Sequence, residues 1–433
     1  MIWLSLAVVL VFIVLGARMG GIGIGFAGGA GLIVLTLVLG LQAGNIPVNV
    51  ILIIMTVIGA IAAMQVAGGL DHLVYLSEKL LRSNPKRVTF IAPLVTYFLT
   101  LFSGTGHTAY AALPVIVEVS KEGGVRPSKP LSIAVVASQI AITASPISAA
   151  LVIFATFVEP LGVGYTDILL IAIPSTLIGC ALGALVASFM GKPLAEDPVY
   201  QERLQKGLIH KNVTHLKSGN FTARLSLIIF LVAILLVVAY AIATSRQIAL
   251  IPEPTLNLSQ AIMAFMLLSA MAIAFAGKLE IAKISSAGTF RSGMSAAVCV
   301  LGVAWLGDTF IFNYLEEIKT AAGDMLQSYP WSFAIILFFA SMLLYSQAAT
   351  TTALVPSAIA LGVSPVSLVA SFAAVSALFV LPTYPTLLAA VEMDDTRSTR
   401  IGKFVIDHPF VVPGITAIAG SILTGLLIGE LVL

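Results

Sequence analysis

The chain of 433 residues is 59% hydrophobic and only 10% charged, and its mean hydropathy is +1.07. Soluble domains carry about 25% charged residues, so this composition excludes an ordinary soluble enzyme and indicates a membrane protein. The net charge of +2 leaves no basic excess for nucleic acid, and two cysteines within apolar segments predict neither a disulfide framework nor a metal cluster.

Apolar segments of about the length needed to cross a bilayer recur along the whole chain. The first has no basic residue before it and is followed by Arg18, which is typical of a span with its N-terminus outside and not of a cleavable signal peptide. The hydropathy predicts ten spans, near residues 2–17, 20–41, 47–67, 130–159, 166–190, 223–243, 256–277, 292–309, 366–392 and 411–432. No large soluble domain is left between them.

A further apolar stretch, 88–120, has Arg87 before it and Lys121 after it. Basic loops lie in the cytoplasm, so a stretch with both ends there must enter the membrane and return to the same face. We predict a re-entrant hairpin with arms near 88–102 and 107–120. Arms of about 14 residues reach only about 21 Å, which is too short to cross a bilayer core about 30 Å thick.

A second apolar stretch, 331–362, has flanks without lysine or arginine and is predicted to enter from outside, with its tip at 345–350. Each half of the chain then contains five spans and one hairpin. Because five is odd, the second half should be inserted upside down relative to the first. The predicted fold is therefore an all-α inverted repeat, with halves 1–190 and 223–433, a cytoplasmic connector at 191–222, and both termini on the periplasmic side.

The spans that follow the two hairpins each contain proline, Pro146 within 130–159 and Pro385 within 366–392. Proline interrupts a helix, and Ser145 before Pro146 has the order of an N-cap followed by a first helical residue. The breaks and the two hairpin tips would supply four helix N-termini, which together carry about two positive charges and suit a dianion. The alternative is that these prolines only kink packed helices.

Two motifs are discounted. Gly23, Gly25 and Gly28 satisfy the spacing of a dinucleotide-binding loop, but no strand precedes them, and glycines four apart at 21, 25 and 29 indicate close helix packing instead. Ser103 and His107 are four apart, which raises the alternative of a membrane-embedded hydrolase. The glycines between them favour a loop, and no orienting carboxylate lies nearby in the sequence.

Seven long motifs spread over essentially the whole chain are distinctive. They are GARMGGIGIGFAGG, AMQVAGGLD, FSGTGHTAYAALPVI, ITASPISAA, LGVAWLGDTF, YSQAAT and LPTYPTLLAAVEMDDTRSTRIGKFV. Together they closely resemble the anaerobic C4-dicarboxylate transporter (Dcu) family of Gram-negative bacteria, and the details are more similar to the DcuA branch than to the DcuB branch. The resemblance implies an inner-membrane carrier for fumarate, succinate, malate and aspartate, which exchanges an imported dicarboxylate for succinate during anaerobic fumarate respiration.

The resemblance also implies a distant similarity to the ion-transporter superfamily. Those carriers are dimers in which paired hairpin tips hold carboxylates and the transport domain moves like an elevator. Their tips read Ser-Asn-Thr, whereas the tips here read Ser103-Gly104-Thr105 and Ser346-Gln347-Ala348. The missing asparagine puts direct transfer of a cation site in doubt.

The hypothesis for the binding site is that backbone N–H groups at the four helix starts bind two carboxylates, with side chains assisting. The predicted substrate-binding residues are Ser103, Gly104, Thr105, Gly106, His107, Ala144, Ser145, Pro146, Ser148, Ser346, Gln347, Thr350, Pro382, Thr383, Tyr384, Pro385 and Thr386. Asp308, in an apolar span, is the candidate for ion coupling. No catalytic residue, metal ligand or cofactor is predicted, and coupling to protons or sodium ions is left open.

The predicted function is a secondary carrier for C4-dicarboxylates. The hairpins and broken spans would form its mobile unit, with 2–67 and 223–309 as the scaffold and any dimer interface. An anion channel or a carrier for other organic anions is the alternative within transport. The expected partners are small dicarboxylates, the lipid bilayer and a second copy of the chain, and a sensor protein cannot be read from the sequence.

Overall fold

The structure is a computed structural model that describes residues 1–19, 22–46, 48–209, 219–244, 250–251, 253–329, 331–344, 346–381, 384–402 and 406–433. Every regular element in this part of the chain is a helix, which confirms the predicted all-α class. A helix satisfies its backbone N–H and C=O groups within one segment, which an apolar bilayer core requires.

Most helices follow the predicted segments, but the predicted span 292–309 is too short, because its helix runs from Gly288 to Ser328 with a non-helical residue at Tyr314. In the first half they are α1 (Ile2–Met19), α2 (Gly23–Ile33), α3 (Val48–Val66), α4 (Gly69–Ser83), α5 (Val88–Ser103), α6 (Ala109–Glu122), α7 (Ser128–Ile140), α8 (Ala149–Val158) and α9 (Tyr165–Phe189), with α10 (Pro198–Gln205) in the connector. In the second half they are α11 (Phe221–Thr244), α12 (Leu258–Gly277), α13 (Ile281–Ser286), α14 (Gly288–Ser328), α15 (Ser332–Leu344), α16 (Gln347–Ala360), α17 (Pro365–Ser371), α18 (Pro385–Met393) and α19 (Val411–Val432).

Helices α2, α7, α14 and α17 depart from regular α geometry or continue into a different helical form. Helix α2 continues as a π-helical turn at Val34–Val38, and 3-10 segments extend α7 at Ala141–Ala144 and α17 at Phe372–Phe379. The backbone of Tyr314 is non-helical, so α14 is kinked there. The 3-10 segments lie next to the two predicted breaks.

By length and composition, six of the described helical segments could each cross a membrane, or seven if the bent pair Ile51–Val66 and Gly69–Ser83 counts as one span. The remaining apolar helices are shorter, and they are Ile2–Ile13, Gly25–Val38, Ser332–Met342 and Pro365–Phe379. The chain is therefore a multi-pass membrane protein. The exact number of ten spans stays a prediction.

The packing partners of the first half recur in the second half. Helix α1 packs on α2 as α11 packs on α12, and α2 packs on α14 as α12 packs on α3. Helix α5 lies against α7 as α15 lies against the 3-10 segment after α17, and α6 lies against α18 as α16 lies against α8. The most extensive contact joins α9 to α19, one helix from each half.

Small residues allow two of these contacts to be very close. A Cβ atom added at Gly302 of α14 would overlap the Gly25 carbonyl oxygen, and one added at Gly28 would overlap Gly302. A Cβ atom added at Gly179 of α9 would overlap the side-chain oxygen of Ser421 in α19. Both contacts bring the two backbones together, as small residues do in membrane helices.

The predicted packing spacing of α2 is wrong at one position. A Cβ atom added at Gly29 would meet nothing within 4 Å, so Gly25 and Gly28 make the contact instead. Gly21 lies outside the described residues. The glycines of this segment are so dense that spacings of three and four both fit, and only the partner helix selects between them.

Helix α4 is an element that the hydropathy did not predict. It turns away from α3 by 72° after Gly68, whose φ is +84°. Arg82 near its end donates hydrogen bonds to Glu78 at 2.8 Å, to Glu118 at 2.9 Å and to Glu122 at 2.7 Å. Since α4 also packs on α11, it connects the first hairpin to the second half of the chain.

The α2–α14 contact generates a test with a matched control. We expect Gly302→Ala to lower the free energy of unfolding by about 1–3 kcal/mol, because the added methyl group has no space beside the Gly25 backbone. Gly29→Ala should be neutral or slightly stabilising, because the same methyl group meets open space within a helix. Thermal unfolding of the purified variants measures both effects, and equal midpoints would contradict the close contact.

Candidate functional site

The first hairpin tip, residues 103–108, is held by bonds within itself. Helix α5 ends at Ser103, and Gly104 continues the chain with φ +67°, a conformation that favours glycine. The Ser103 hydroxyl donates to the Thr105 carbonyl at 3.2 Å and lies 3.0 Å from the Thr108 hydroxyl. A 3-10 turn at Gly106–Thr108 then leads into α6. The side chain of His107 lies outside the described part of the structure.

This tip packs against the break between α7 and α8. A Cβ atom at Gly104 would lie 3.0 Å from the Ile147 carbonyl oxygen, which explains why the tip needs glycine there. A Cβ atom at Gly106 would lie 3.3 Å from the Ser138 carbonyl and 3.5 Å from the Gln139 side-chain nitrogen. The glycines therefore bring the tip backbone next to α7.

Hydrogen bonds to other elements and to the next turn stabilise the break between α7 and α8. The 3-10 segment ends at Ala144, and Ser145 has an extended backbone. The Ser145 hydroxyl donates to the Leu101 carbonyl at 2.7 Å, and the Pro146 carbonyl accepts from the Tyr165 hydroxyl. Ser148 is the N-cap of α8 and accepts a hydrogen bond from the backbone N–H of Leu151 at 3.1 Å. The predicted start at Ser145 and Pro146 is therefore wrong by three residues, because α8 begins at Ala149 with Ser148 as its N-cap.

The second tip, described for residues 346–350, also begins with a cap. Ser346 is extended, and its side-chain oxygen accepts from the backbone N–H of Ala349 at 3.2 Å. The Thr350 hydroxyl donates back to the Ser346 carbonyl at 2.8 Å. Tyr345 lies outside the described residues. Helix α16 therefore starts at Gln347, at the predicted tip.

The second break lies between the 3-10 segment after α17 and the start of α18 at Pro385. Pro382 and Thr383 lie outside the described residues. Tyr384 occupies the N-cap position of α18 without a side-chain cap, and Pro385 is exposed at the first turn. Thr386 is fully buried, and its hydroxyl accepts from the Gln139 side chain at 3.1 Å.

These elements meet at a polar centre of four side chains, Gln139, Gln347, Ser376 and Thr386. The Gln347 side-chain nitrogen donates to the Gln139 backbone carbonyl at 2.8 Å and to the Ser376 hydroxyl at 3.3 Å. Gln139 in turn donates to Thr386 and lies behind Gly106 of the first tip. Both hairpin tips and the start of α18 therefore contact one residue of α7.

Sequence reasoning missed Gln139. It is the single amide in the run LSIAVVASQIAITA, and an uncharged polar residue there carries no topological signal. The available signal was its position shortly before the predicted break, where freed backbone groups need polar partners.

The polar centre has unused hydrogen-bonding capacity. Gln139 is 0% exposed and Gln347 is 4% exposed, and neither side-chain oxygen has a hydrogen-bond partner among the described residues. A buried acceptor without a donor costs about 1–3 kcal/mol. Such groups are expected where a ligand supplies the missing partner.

The hydroxyl groups of the site fall into two classes, because each hydroxyl has only one proton to donate. The first class donates to backbone carbonyls: Ser145 to Leu101 at 2.7 Å, Ser148 to Ile142 at 2.6 Å and Thr350 to Ser346 at 2.8 Å. The second class, Ser346 and Thr386, accepts from Ala349 and Gln139. Within the described part of the chain, the hydroxyls of Ser346 and Thr386 donate no hydrogen bond.

Two cavities lie beside the first tip. One of about 320 Å³ is lined by Thr105, Thr108 and Tyr110 of the hairpin together with residues of α4. The other, of about 140 Å³, is lined by Gly104, Thr105 and residues of α3. Both share Thr289 of α14, so the space follows the boundary between the hairpin and the helices α3, α4 and α14.

Asp308 has a different environment from the tips. Its carboxylate accepts from the backbone N–H of Asn45 at 2.5 Å. Its neighbour Thr309 accepts from the Gly44 N–H at 3.0 Å, and Trp305 donates to the Gly44 carbonyl at 3.0 Å. These side chains bind the loop between α2 and α3 to α14. Among the described residues, no group of three or more His, Cys, Asp or Glu side chains could hold a metal ion.

Comparison with known proteins extends over the whole length. Residues 1–433 match the family model described as anaerobic c4-dicarboxylate membrane transporter. The C4-dicarboxylate transporter DcuA of Wolinella succinogenes is 60% identical over 433 residues, with 100% of both chains covered. The C4-dicarboxylate transporter DcuA of Escherichia coli strain K12 is 52% identical over 437 positions, again with 100% of both chains covered.

These relatives are transporters and not enzymes, so the hydrolase alternative at Ser103 and His107 is set aside. Among solved structures, the YdaH transporter of Alcanivorax borkumensis matches with a TM-score of 0.59 at 15% identity, over 99% of this chain and 97% of that chain. At this identity the similarity concerns the fold alone, and the fold is that of a transporter.

The first tip generates a test with two glycines of equal φ. Gly104 and Gly124 both have φ +67°, but only Gly104 lies against another element. Alanine at either position should cost about 1–2 kcal/mol for the left-handed backbone. Gly104→Ala should cost more than Gly124→Ala, because its methyl group also presses on the Ile147 carbonyl. Thermal unfolding checks the order, and a larger loss in Gly124→Ala would contradict the described packing of the tip.

Proposed function

Because the chain belongs to the family of anaerobic C4-dicarboxylate membrane transporters, we propose that it is a secondary carrier that exchanges fumarate, succinate, malate and aspartate across the bacterial inner membrane. The observation that carries this proposal is the contact of both hairpin tips and the α18 start with Gln139. A site formed between elements that can separate suits a carrier that must bind and release its substrate on two sides of the membrane.

The two carboxylates of the substrate bind at helix starts in this proposal. The N-terminal turns of α16 and α18 carry positive partial charge, and Ser346 and Thr386 lie in these turns with protons to donate. Neutral donors of this kind hold a dianion without a buried arginine. Release then does not require an ion pair to be broken, which suits exchange.

The unpartnered oxygen of Gln347 gives the site a means of selecting among C4-dicarboxylates. An amide oxygen accepts hydrogen bonds and cannot bind a carboxylate directly. Aspartate carries an ammonium group and malate a hydroxyl group at the second carbon, whereas succinate and fumarate carry no donor there. The Gln347 oxygen therefore favours the substituted substrates, which relieve its missing hydrogen bond.

The proposed transport movement is that of an elevator. The two hairpins, the broken spans, α9 and α19 move together, while α1 to α3 and α11 to α14 form a fixed scaffold that also supplies a dimer interface. The cavities beside Thr105 and Thr289 follow the boundary between these parts, so they would be the cytoplasmic path to the site. Inverted repeats suit a carrier that opens alternately to the two sides of the membrane, because each half can adopt the conformation that the other half had before.

The remaining features of the carrier are also proposals. Both termini lie in the periplasm, in line with the basic loops, and the two halves are inverted with respect to each other. No cofactor is needed, and protons or sodium ions are the candidates for coupling. The bonds of Asp308 to the α2–α3 loop favour a structural role for this carboxylate over the coupling role.

A proteoliposome assay separates exchange from channel activity. Vesicles loaded with succinate should take up labelled fumarate, while vesicles without internal dicarboxylate or an ion gradient should take up little. The reason is that a carrier of this type changes slowly between its inward-facing and outward-facing states when it is empty, and readily when it has a substrate bound. Uptake that depends only on the membrane potential would indicate an anion channel and contradict the proposal.

The selectivity proposal predicts a change in the ratio of aspartate transport to fumarate transport. Gln347→Leu should reduce aspartate transport about tenfold more than fumarate transport, because a hydrogen bond to a charged group is worth about 1.5–3 kcal/mol. Competition of unlabelled aspartate, malate, succinate and fumarate against labelled fumarate measures the ratio within one preparation. Partial loss of folded protein does not alter it.

Gln201→Leu is the matched control. The Gln201 side chain donates to the Ala195 carbonyl at 2.8 Å in the connector, outside the transport site. Its substrate ratio should equal that of the wild type. An unchanged ratio of aspartate to fumarate transport in Gln347→Leu would show that this oxygen does not bind the substituent at the second carbon of the substrate.

A further inference from the structure

A third cavity, of about 590 Å³, lies where α7 and α19 begin and α9 ends. Its wall contains three basic side chains, Arg126, Lys129 and Arg400, and one acidic side chain, Asp407. We call it the basic cavity. Its basic residues belong to loops that the positive-inside rule assigns to the cytoplasm. The cavity is separate from the hairpin tips, and the transport proposal does not use it.

The basic side chains are only partly neutralised. Arg126 pairs with Asp197 at 2.5 Å, and the Lys129 ammonium donates to the Ser188 carbonyl at 2.8 Å. Arg400 is exposed and makes no hydrogen bond or ion pair with the described residues. Ser128, at the start of α7, adds the positive end of a helix to the same wall. The cavity therefore has an excess of positive charge and suits an anion.

His408 adds an acceptor to this wall. It is 7% exposed, and burial lowers the pKa of its imidazole, so the neutral form is favoured at pH 7. Its Nε2 donates to the Val380 carbonyl at 3.1 Å, which leaves Nδ1 as an acceptor without a partner among the described residues. Together with the Asp407 carboxylate, it suits a ligand that carries hydroxyl donors besides its anionic group.

The rim of the cavity is apolar. Ile406 is 64% exposed and Val412 is 52% exposed, and both line the cavity together with Met190 and Val411. Phe189, at the end of α9 beside Met190, is 80% exposed. Large apolar side chains at the ends of membrane helices border the hydrocarbon region. A ligand in the basic cavity can therefore keep acyl chains against this rim.

We propose that the basic cavity binds the headgroup of an anionic glycerophospholipid from the cytoplasmic leaflet, with phosphatidylglycerol as the matching chemistry. The phosphate lies among Arg126, Lys129 and Arg400, and the glycerol hydroxyls donate towards His408 and Asp407. Basic pockets between membrane helices on this side bind anionic headgroups in this way. A soluble phosphate carries at least as much negative charge but makes no use of the apolar rim.

Native mass spectrometry of the purified full-length protein in detergent tests the proposal. With equal amounts of phosphatidylglycerol and phosphatidylethanolamine of the same acyl chains, the wild type should retain phosphatidylglycerol preferentially. The double variant Lys129→Gln, Arg400→Gln should retain about tenfold less, because each basic group near a membrane surface contributes a several-fold gain in affinity. Equal retention in wild type and variant would overturn the proposal.

The control variant removes the same charge elsewhere. Lys206→Gln, Lys283→Gln acts on two exposed side chains that pair with Glu202 and Glu280 on the surface. It should retain phosphatidylglycerol as the wild type does, and a loss equal to that of the test variant would overturn the site. The single variant Arg400→Gln, at an exposed position, should show an intermediate loss, and unfolding without added lipid verifies that each variant is folded.

A further arm separates the lipid from soluble anions. Phosphatidylglycerol should raise the unfolding temperature of the wild type and have less effect on the double variant. Inorganic phosphate and glycerol 3-phosphate at the same concentration should leave both unchanged. Equal protection by these soluble anions, lost in the double variant, would identify a soluble ligand and overturn the lipid assignment.

Discussion

A helix that is interrupted inside a bilayer exposes backbone carbonyl oxygens where no water can bind them, and this constraint organises the centre of the molecule. The oxygens around the first break obtain donors from side chains of other elements or of the next turn. The pairs are Ser145 with Leu101, Ser148 with Ile142, Tyr165 with Pro146 and Gln347 with Gln139. The last pair joins the two halves of the chain, so the break in one half is completed by the hairpin of the other.

The same constraint divides the polar residues between those that donate to backbone carbonyls and those that do not. In the first half, the hydroxyls of Ser145 and Ser148 are used to support the interrupted backbone. In the second half, Thr350 also donates to the backbone, whereas Ser346 and Thr386 accept hydrogen bonds and donate none to the described residues. Two halves that repeat the same packing therefore differ in chemistry.

Hydropathy alone predicted the helices well, because each apolar segment must form its own backbone hydrogen bonds; the predicted span 411–432 corresponds to α19 (Val411–Val432). The turn at Gly106–Thr108 and the start of α16 at Gln347 were also readable, since runs of Ser, Gly and Thr are unusual within long apolar stretches. Tertiary partners were not readable. The sequence could not show that Gln139 receives both tips, or that the Asp308 carboxylate binds the α2–α3 loop, because a side chain's neighbours depend on elements far away in the chain.

The contact between α9 and α19 has a consequence for biosynthesis. The ribosome completes α9 in the first half of the chain, whereas α19 is made after every other helix described here. Until then, the surface around Gly179 has no Ser421 to pack against, and lipid must cover it. The newly inserted first half therefore cannot reach its final packing on its own. The packing of α9 is therefore completed only after α19 has been made.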